Sequence, residues 1–180
     1  MYLICDPDDI PVNLYLEMEM DSEEKYEYEA GRLLAMAGAS RAHNRIVLNI
    51  SKTLDTGACE VFASDMRLRV NDHTFYYPDV LVTCENFKDN YCSTAACVVI
   101  EVMSESTAKR DLETKLINYS HLDSLQLYLL VDSRQKKVFG YYQEGERWQL
   151  RYFSASEVIP VPCARVELSY DIIYQRSGLS

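Results

Sequence analysis

Two acidic residues sit inside stretches that otherwise read as buried β-strand. Asp79 lies in Tyr76-Tyr77-Pro78-Asp79-Val80-Leu81-Val82, and Glu101 in Ala96-Cys97-Val98-Val99-Ile100-Glu101-Val102-Met103. Both segments are β-branched and apolar nearly throughout. An ionised carboxylate in such a setting is costly unless a cation or hydrogen-bond donors meet it. A fold that accepts two of them must therefore bring partners to both, and the pair marks a candidate functional site.

The elements around them can be read in order. Pro11 to Met20 suits a short helix. Tyr26 to Met36 reads as a β-hairpin turning at Ala30-Gly31. Ser40 suits the N-cap of a helix running to about Thr56 and stopped by Gly57, with His43, Val47, Ile50 and Leu54 on one face and Ile46 beside them. Strands are expected over Glu60 to Phe62, Met66 to Val70, Phe75 to Val82 and Ala96 to Met103. Ser104-Glu105-Ser106-Thr107 is capping material for a helix from about Ala108 to His121. Leu125 to Asp132, Lys137 to Gln143 and Trp148 to Phe153 follow as strands, with a hairpin turn at Glu144-Gly145-Glu146. Val166 to Tyr174 is a short strand or a short helix. This order predicts an α/β (α+β) fold with a mixed sheet flanked by helices. No linker or repeat interrupts it, so residues 1–180 are expected to form one domain.

Alternation along a strand gives Tyr77, Asp79 and Leu81 one face, and Val99, Glu101 and Met103 another. On neighbouring strands Asp79 and Glu101 would lie side by side and repel. A divalent cation removes that conflict, and oxygen ligands suit Mg²⁺ or Mn²⁺. In the following helix, Ala108, Leu112, Leu116 and Tyr119 define an apolar stripe, with Lys115 within about 60° of its centre and Asp111 nearer its edge. A lysine there can snorkel to solvent, and Asp111–Lys115 can be a surface pair. The position of the helix directly after the Glu101 strand favours Lys115 facing the carboxylates.

Charge and cysteine content narrow the class. The net charge of −10 argues against a broad basic face for nucleic acid, because phosphate neutralisation needs Lys and Arg. No apolar run approaches the roughly 20 residues of a membrane span, and Met1 to Asp9 lacks the pattern of a signal peptide, so a cytoplasmic protein with no membrane contact is expected. The six cysteines, Cys5, Cys59, Cys84, Cys92, Cys97 and Cys163, include no C-x-x-C pair, and packed, reduced thiols are expected rather than a disulfide frame or a zinc site.

Pro78-Asp79 followed by a strand ending Ile100-Glu101-Val102-Met103 resembles the active-site signature of the PD-(D/E)XK nuclease superfamily. More narrowly, the chain is similar to the Uma family, a bacterial group of restriction-endonuclease-like proteins. Carrying pieces are Tyr26 to Leu33, the helix around His43, Ser64 to Leu68, Pro78 to Val80 and Val99 to Thr107. They continue through Asp111, Lys115, Tyr119 and Tyr128 to Asp132. The resemblance spans residues 11 to 174 or so and implies a restriction-endonuclease-like sheet. It further implies Mg²⁺-dependent (or Mn²⁺-dependent) endonuclease activity, with DNA as the default substrate, and often a homodimer. Asp79 and Glu101 would hold the metal together with the Val102 backbone carbonyl. The superfamily lysine normally falls two residues after the Glu, where this chain has Met103. The resemblance implies that Lys115 replaces it; Lys109 is a competitor, but by helical spacing it falls about 100° from Ala108, on the far side of the stripe from Lys115. Glu27, His43, Ser104 and Asp111 are further candidates for the substrate or for the surroundings of the metal. Each also has a plain reading: Glu27 as a solvated or cross-strand charge, His43 as a core histidine, Ser104 as a cap, and Asp111 as half of the surface pair. A nuclease-fold module that binds or regulates with little or no chemistry is the alternative, favoured by Met103 and the acidic charge; a hydrolase of some other phosphoester is a third reading.

Overall fold

The computed structural model describes residues 9–179. Cys5 and most of the stretch read as lacking a signal peptide lie outside the described residues. Helix α1 (Val12–Asp21) precedes a hairpin of β1 (Tyr26–Glu29) and β2 (Arg32–Ala35). The hairpin turns at Ala30-Gly31, both at positive φ (45° and 96°), the mirror-image turn that matches strand twist. Helix α2 (Arg41–Leu54) starts where expected, with the Ser40 side chain accepting from the His43 N–H. Strands β3 (Glu60–Ala63), β4 (Arg67–Asn71), β5 (Thr74–Tyr76), β6 (Val80–Thr83), β7 (Cys92–Ser93) and β8 (Val98–Met103) follow. A helical crossover, α3 (Ala108–Arg110), a π-turn (Asp111–Lys115) and α4 (Leu116–Tyr119), leads to β9 (Leu127–Asp132). Then come β10 (Val138–Glu144), β11 (Arg147–Phe153), β12 (Val158–Val161), β13 (Val166–Ser169) and α5 (Tyr170–Ile173). The untyped segment after Val166 is thus strand first and helix second.

The strands form a five-stranded sheet, β2-β1-β5-β4-β7, a six-stranded sheet, β11-β10-β9-β8-β6-β3, and the β12–β13 hairpin. Strand β8 lies inside the six-stranded sheet, parallel to β9 and antiparallel to β6, and is buried along its whole length. Its two faces feed two cores. Val98, Ile100 and Val102 join α2 (Ile46, Val47, Ile50, Leu54) and the β12–β13 hairpin. Val99 and Met103 join Leu68, Tyr76, Tyr119 and Tyr128 on the other side. Glu101, odd-numbered, therefore points into the second core.

Three expectations are corrected. Phe75 to Val82 is not one strand. Strand β5 pairs within the first sheet and β6 within the second, and Tyr77-Pro78-Asp79 carries the chain between them. Proline has no N–H for a ladder, and the Tyr77 N–H goes instead to Glu27 Oε1 at 3.2 Å. Asp79 thus sits at the mouth of β6 rather than inside a strand. The helix after Glu101 is not uniformly α. Its π-turn widens the spacing, so Asp111, Lys115 and Tyr119 face inward while Leu112, expected in the stripe, is exposed. Finally, four cysteines are not isolated thiols: Cys59 bonds Cys84 and Cys97 bonds Cys163, while Cys92 is free and buried. The partners are 25 and 66 residues apart and meet only through sheet register.

Helix α2 is attached to the sheet almost wholly by its apolar face. Ile50→Ala should cost about 2–5 kcal/mol of stability, measured by urea denaturation.

Candidate functional site

The registers Val80↔Ile100 and Glu101↔Leu130 bring Asp79 level with Glu101 where β6 begins. Asp79 Oδ2 accepts the Val102 N–H at 2.8 Å and lies 3.1 Å from His43 Nε2. The N–H and C=O of one strand residue point the same way. The Met103 carbonyl accepts from Ser133 on the β9 side, so the Val102 carbonyl faces the Asp79 side. Asp79, Glu101 and that carbonyl are hard oxygen donors, the set a small divalent cation takes.

Glu101 meets its partners across the second core. Lys115 Nζ lies 2.8 Å from Glu101 Oε1, and Tyr119 OH donates to the same oxygen at 2.9 Å. Lys115 also reaches Glu27 Oε1 at 2.9 Å and Asp111 Oδ1 at 3.7 Å. Glu27, Glu101, Asp111 and Lys115 are each at most 5% exposed. The surface readings of Glu27, of the Asp111–Lys115 pair and of a snorkelling Lys115 are thereby overturned. Lys109, the competing lysine, is exposed. Ser104 bonds only locally, to Ser106 and Thr107, and does not join the carboxylates. His43 is drawn in through Asp79; with Nε2 donating, its buried Nδ1 has no partner among the described residues.

Arg110 and Glu29 complete the cluster and were not singled out from sequence. Arg110 bonds Glu27 Oε2 and, through Nη2 at 2.7 Å, Glu29 Oε1; Tyr76 OH also donates to Glu29 Oε1, at 2.6 Å. The available signal was arithmetic: carboxylates in β1 need cations, and Arg110 and Lys115 lie close to a full π-widened turn apart on the crossover.

Five carboxylates, Glu27, Glu29, Asp79, Glu101 and Asp111, thus share two permanent cations, Arg110 and Lys115. Burial holds the Glu101 carboxyl well above the usual range; Lys115 opposes this, and Asp111, Asp79 and Glu27 add to it. Burial raises Asp111 as well, against Lys115 and a Thr107 hydrogen bond. Glu27 goes the other way: despite burial, Lys115 and Arg110 hold it low. Burial would lower Lys115, but Glu101, Glu27 and Asp111 override it and keep the ammonium charged.

These directions set a pH dependence in metal-free buffer. With its folded pKa raised, Glu101 contributes stability below the unfolded carboxylate range and loses it as pH rises through its folded value. Lys115→Met should cost about 3–5 kcal/mol near pH 7, where the carboxylates lose their shared cation. The cost should shrink as the pH is lowered from there and Glu101 is driven to its protonated form. Urea denaturation across that range checks both; a pH-independent cost would contradict the assignment.

Known proteins resemble the chain in sequence and in fold. The family model Uma2, described as "Putative restriction endonuclease", matches residues 12–172. The uncharacterized protein slr1290 of Synechocystis sp. is 34% identical over 169 residues, covering 89% of each chain. The uncharacterized protein sll1609 of the same organism is 37% identical over 146 residues, covering 76% of this chain and 82% of its own. In fold, the chain matches the crystal structure of a putative nuclease belonging to DUF820 from Anabaena variabilis, with a TM-score of 0.76 and 18% identity over 92% of this chain and 97% of that one. The architecture is restriction-endonuclease-like, and the chain belongs to the Uma2 family.

Proposed function

We propose that this chain is a metal-dependent endonuclease that hydrolyses phosphodiester bonds, most readily in DNA, as a single restriction-endonuclease-like domain in the cytoplasm. The observation that carries the reading is the buried Lys115 ammonium, 2.8 Å from Glu101, on a strand whose register sets Asp79 beside it. Asp79, Glu101 and the Val102 carbonyl would hold Mg²⁺ or Mn²⁺. When bound, such an ion supplies positive charge opposite the phosphate and acidifies water.

The chain's own groups have separate tasks. Lys115 stays protonated, so it serves as a fixed positive charge for the scissile phosphate or its attacking water and not as a base. Tyr119 and Lys115 fix the Glu101 carboxylate, and the Val102 N–H and His43 fix Asp79. Glu27 anchors Lys115 from the other sheet, and Asp111 adds a weaker contact at its own turn. With three more carboxylates than permanent cations, a phosphate is repelled until a divalent cation joins the site. Homodimerisation belongs to the same reading; edge strand β11, with Leu150 and Tyr152 exposed, is a surface on which to look for it.

Met103 favours the second reading, a module that binds without cleaving. It is 3% exposed and packed in the second core, at the position where the superfamily lysine is expected.

Plasmid, linear and single-stranded DNA incubated with Mg²⁺ or Mn²⁺ should be cleaved by the wild type. Asp79→Ala and Glu101→Ala should each reduce the rate by at least about a hundredfold. Cleavage that survives either substitution removes the metal–carboxylate mechanism. No cleavage of any substrate, with no metal bound by calorimetry, selects the binding module.

A further inference from the structure

The end of the six-stranded sheet opposite Asp79 carries sulfur. Cys59 immediately precedes β3, Cys84 immediately follows β6, and Cys97 immediately precedes β8. The antiparallel registers Glu60↔Thr83 and Val82↔Val98 bring these three strand ends level. Cys163 comes from a fourth segment, the turn closed by the Val161↔Val166 pair of the β12–β13 hairpin. The four Sγ atoms all lie within 4.8 Å of one another, and Cys84 Sγ is 3.6 Å from Cys97 Sγ, across the two disulfides.

Two cross-links need only two sulfurs each and have no reason to abut. Four sulfurs from four segments at one point are what a tetrahedral thiolate site needs. Zinc–sulfur bonds of about 2.3 Å set the sulfurs roughly 3.8 Å apart, a spacing that fits four Sγ atoms all within 4.8 Å of one another. Cys84 is exposed and Cys59 and Cys163 are partly so. A surface cleft lined by Gly57, Glu60, Thr83 and Glu85 reaches Cys59 and Cys84, giving an entry path. Disulfides do not persist in reducing compartments, and there the same four residues would be thiols held in contact.

We propose that the reduced chain binds one zinc ion through the thiolates of Cys59, Cys84, Cys97 and Cys163, clamping the β12–β13 hairpin onto the end of the six-stranded sheet. Two equivalents of a dithiol reductant supply the four electrons and four protons that turn two disulfides into four thiols, and are themselves oxidised to two disulfides. Zinc then displaces four protons from the thiols; no electron moves in that step. Zinc suits the site because it is redox-inert, accepts tetrahedral sulfur coordination and has no need of an open position here. The site shares no residue with the carboxylate cluster, which occupies the other end of β6 and β8.

The test is cobalt titration of the full chain, reduced with a phosphine under anaerobic conditions, with circular dichroism following the fold. One equivalent of Co²⁺ should produce the visible bands and sulfur-to-metal charge transfer of a tetrahedral thiolate, and Zn²⁺ should bleach them. Oxygen ligands at the carboxylate cluster give no such charge transfer. The spectrum should persist in Cys92→Ser and disappear in the double variant Cys84→Ser/Cys163→Ser. If reduction unfolds the metal-free chain, refolding with the thiolate spectrum on adding Co²⁺ supports the site. Absence of that spectrum at stoichiometric metal, its survival in the double variant, or failure of metal to restore a reduction-unfolded chain overturns it.

Discussion

One buried ammonium joins the two halves of this molecule. Lys115 comes from the crossover between β8 and β9, meets Glu101 on the six-stranded sheet and reaches Glu27 on the five-stranded one. Burying three charges is expensive, and such a group is poor evidence of net stability. What it supplies is uniqueness. Without Lys115, Glu101 loses its cation and Glu27 keeps only Arg110, so the sheets and the crossover can dock in few arrangements other than this one. Arg110 repeats the arrangement one turn earlier by tying Glu27 to Glu29, and Tyr76, Tyr119 and Tyr128 close the space around these charges with hydroxyls already engaged.

The same interaction makes the site electrostatically unfinished. Glu27 has two cationic partners and is held ionised; Glu101, equally buried, has one and is pushed toward protonation. On the proposed reading, that inequality is what a divalent cation would exploit, since the β6–β8 register sets Glu101 level with Asp79. The chain's net charge of −10 then bears on how strongly polyanions bind and less on whether a single phosphate can be held: long-range attraction is weak, and affinity would rest on the local metal.

What could be read from sequence follows from how locally each feature is determined. The Ala30-Gly31 turn and the Ser40 cap depend on a few adjacent residues, and both occur as read. Asp79 and Glu101 stood out because charge is rare in apolar segments. The break at Tyr77-Pro78-Asp79 did not, because both sides are equally apolar and only pairing to different sheets separates them. Periodicity brought Lys115 to the correct side, but a uniform 3.6-residue repeat cannot register a π-turn, so Asp111 was set too near the surface and Leu112 too deep. Glu27 read as an ordinary hairpin charge because its cationic partners lie more than eighty residues away. Nor could the sulfur cluster be found by spacing, since each cysteine occupies the end of a different element.

The two ends of β6 and β8 are mechanically linked. A slip of one residue between these strands would turn Glu101 out of the second core and into the face occupied by α2, away from Lys115. The ladder between them is short, with only three Cα pairs, Val80↔Ile100 to Val82↔Val98. Cys84 and Cys97 flank its far end, each covalently joined in the structure to a further segment, while Asp79 binds the Val102 N–H at the near end. Register is therefore held from both sides of a ladder too short to specify it alone. Whatever holds the sulfurs together thus also bears on the Asp79–Glu101 spacing, although no atom of the sulfur cluster touches either carboxylate.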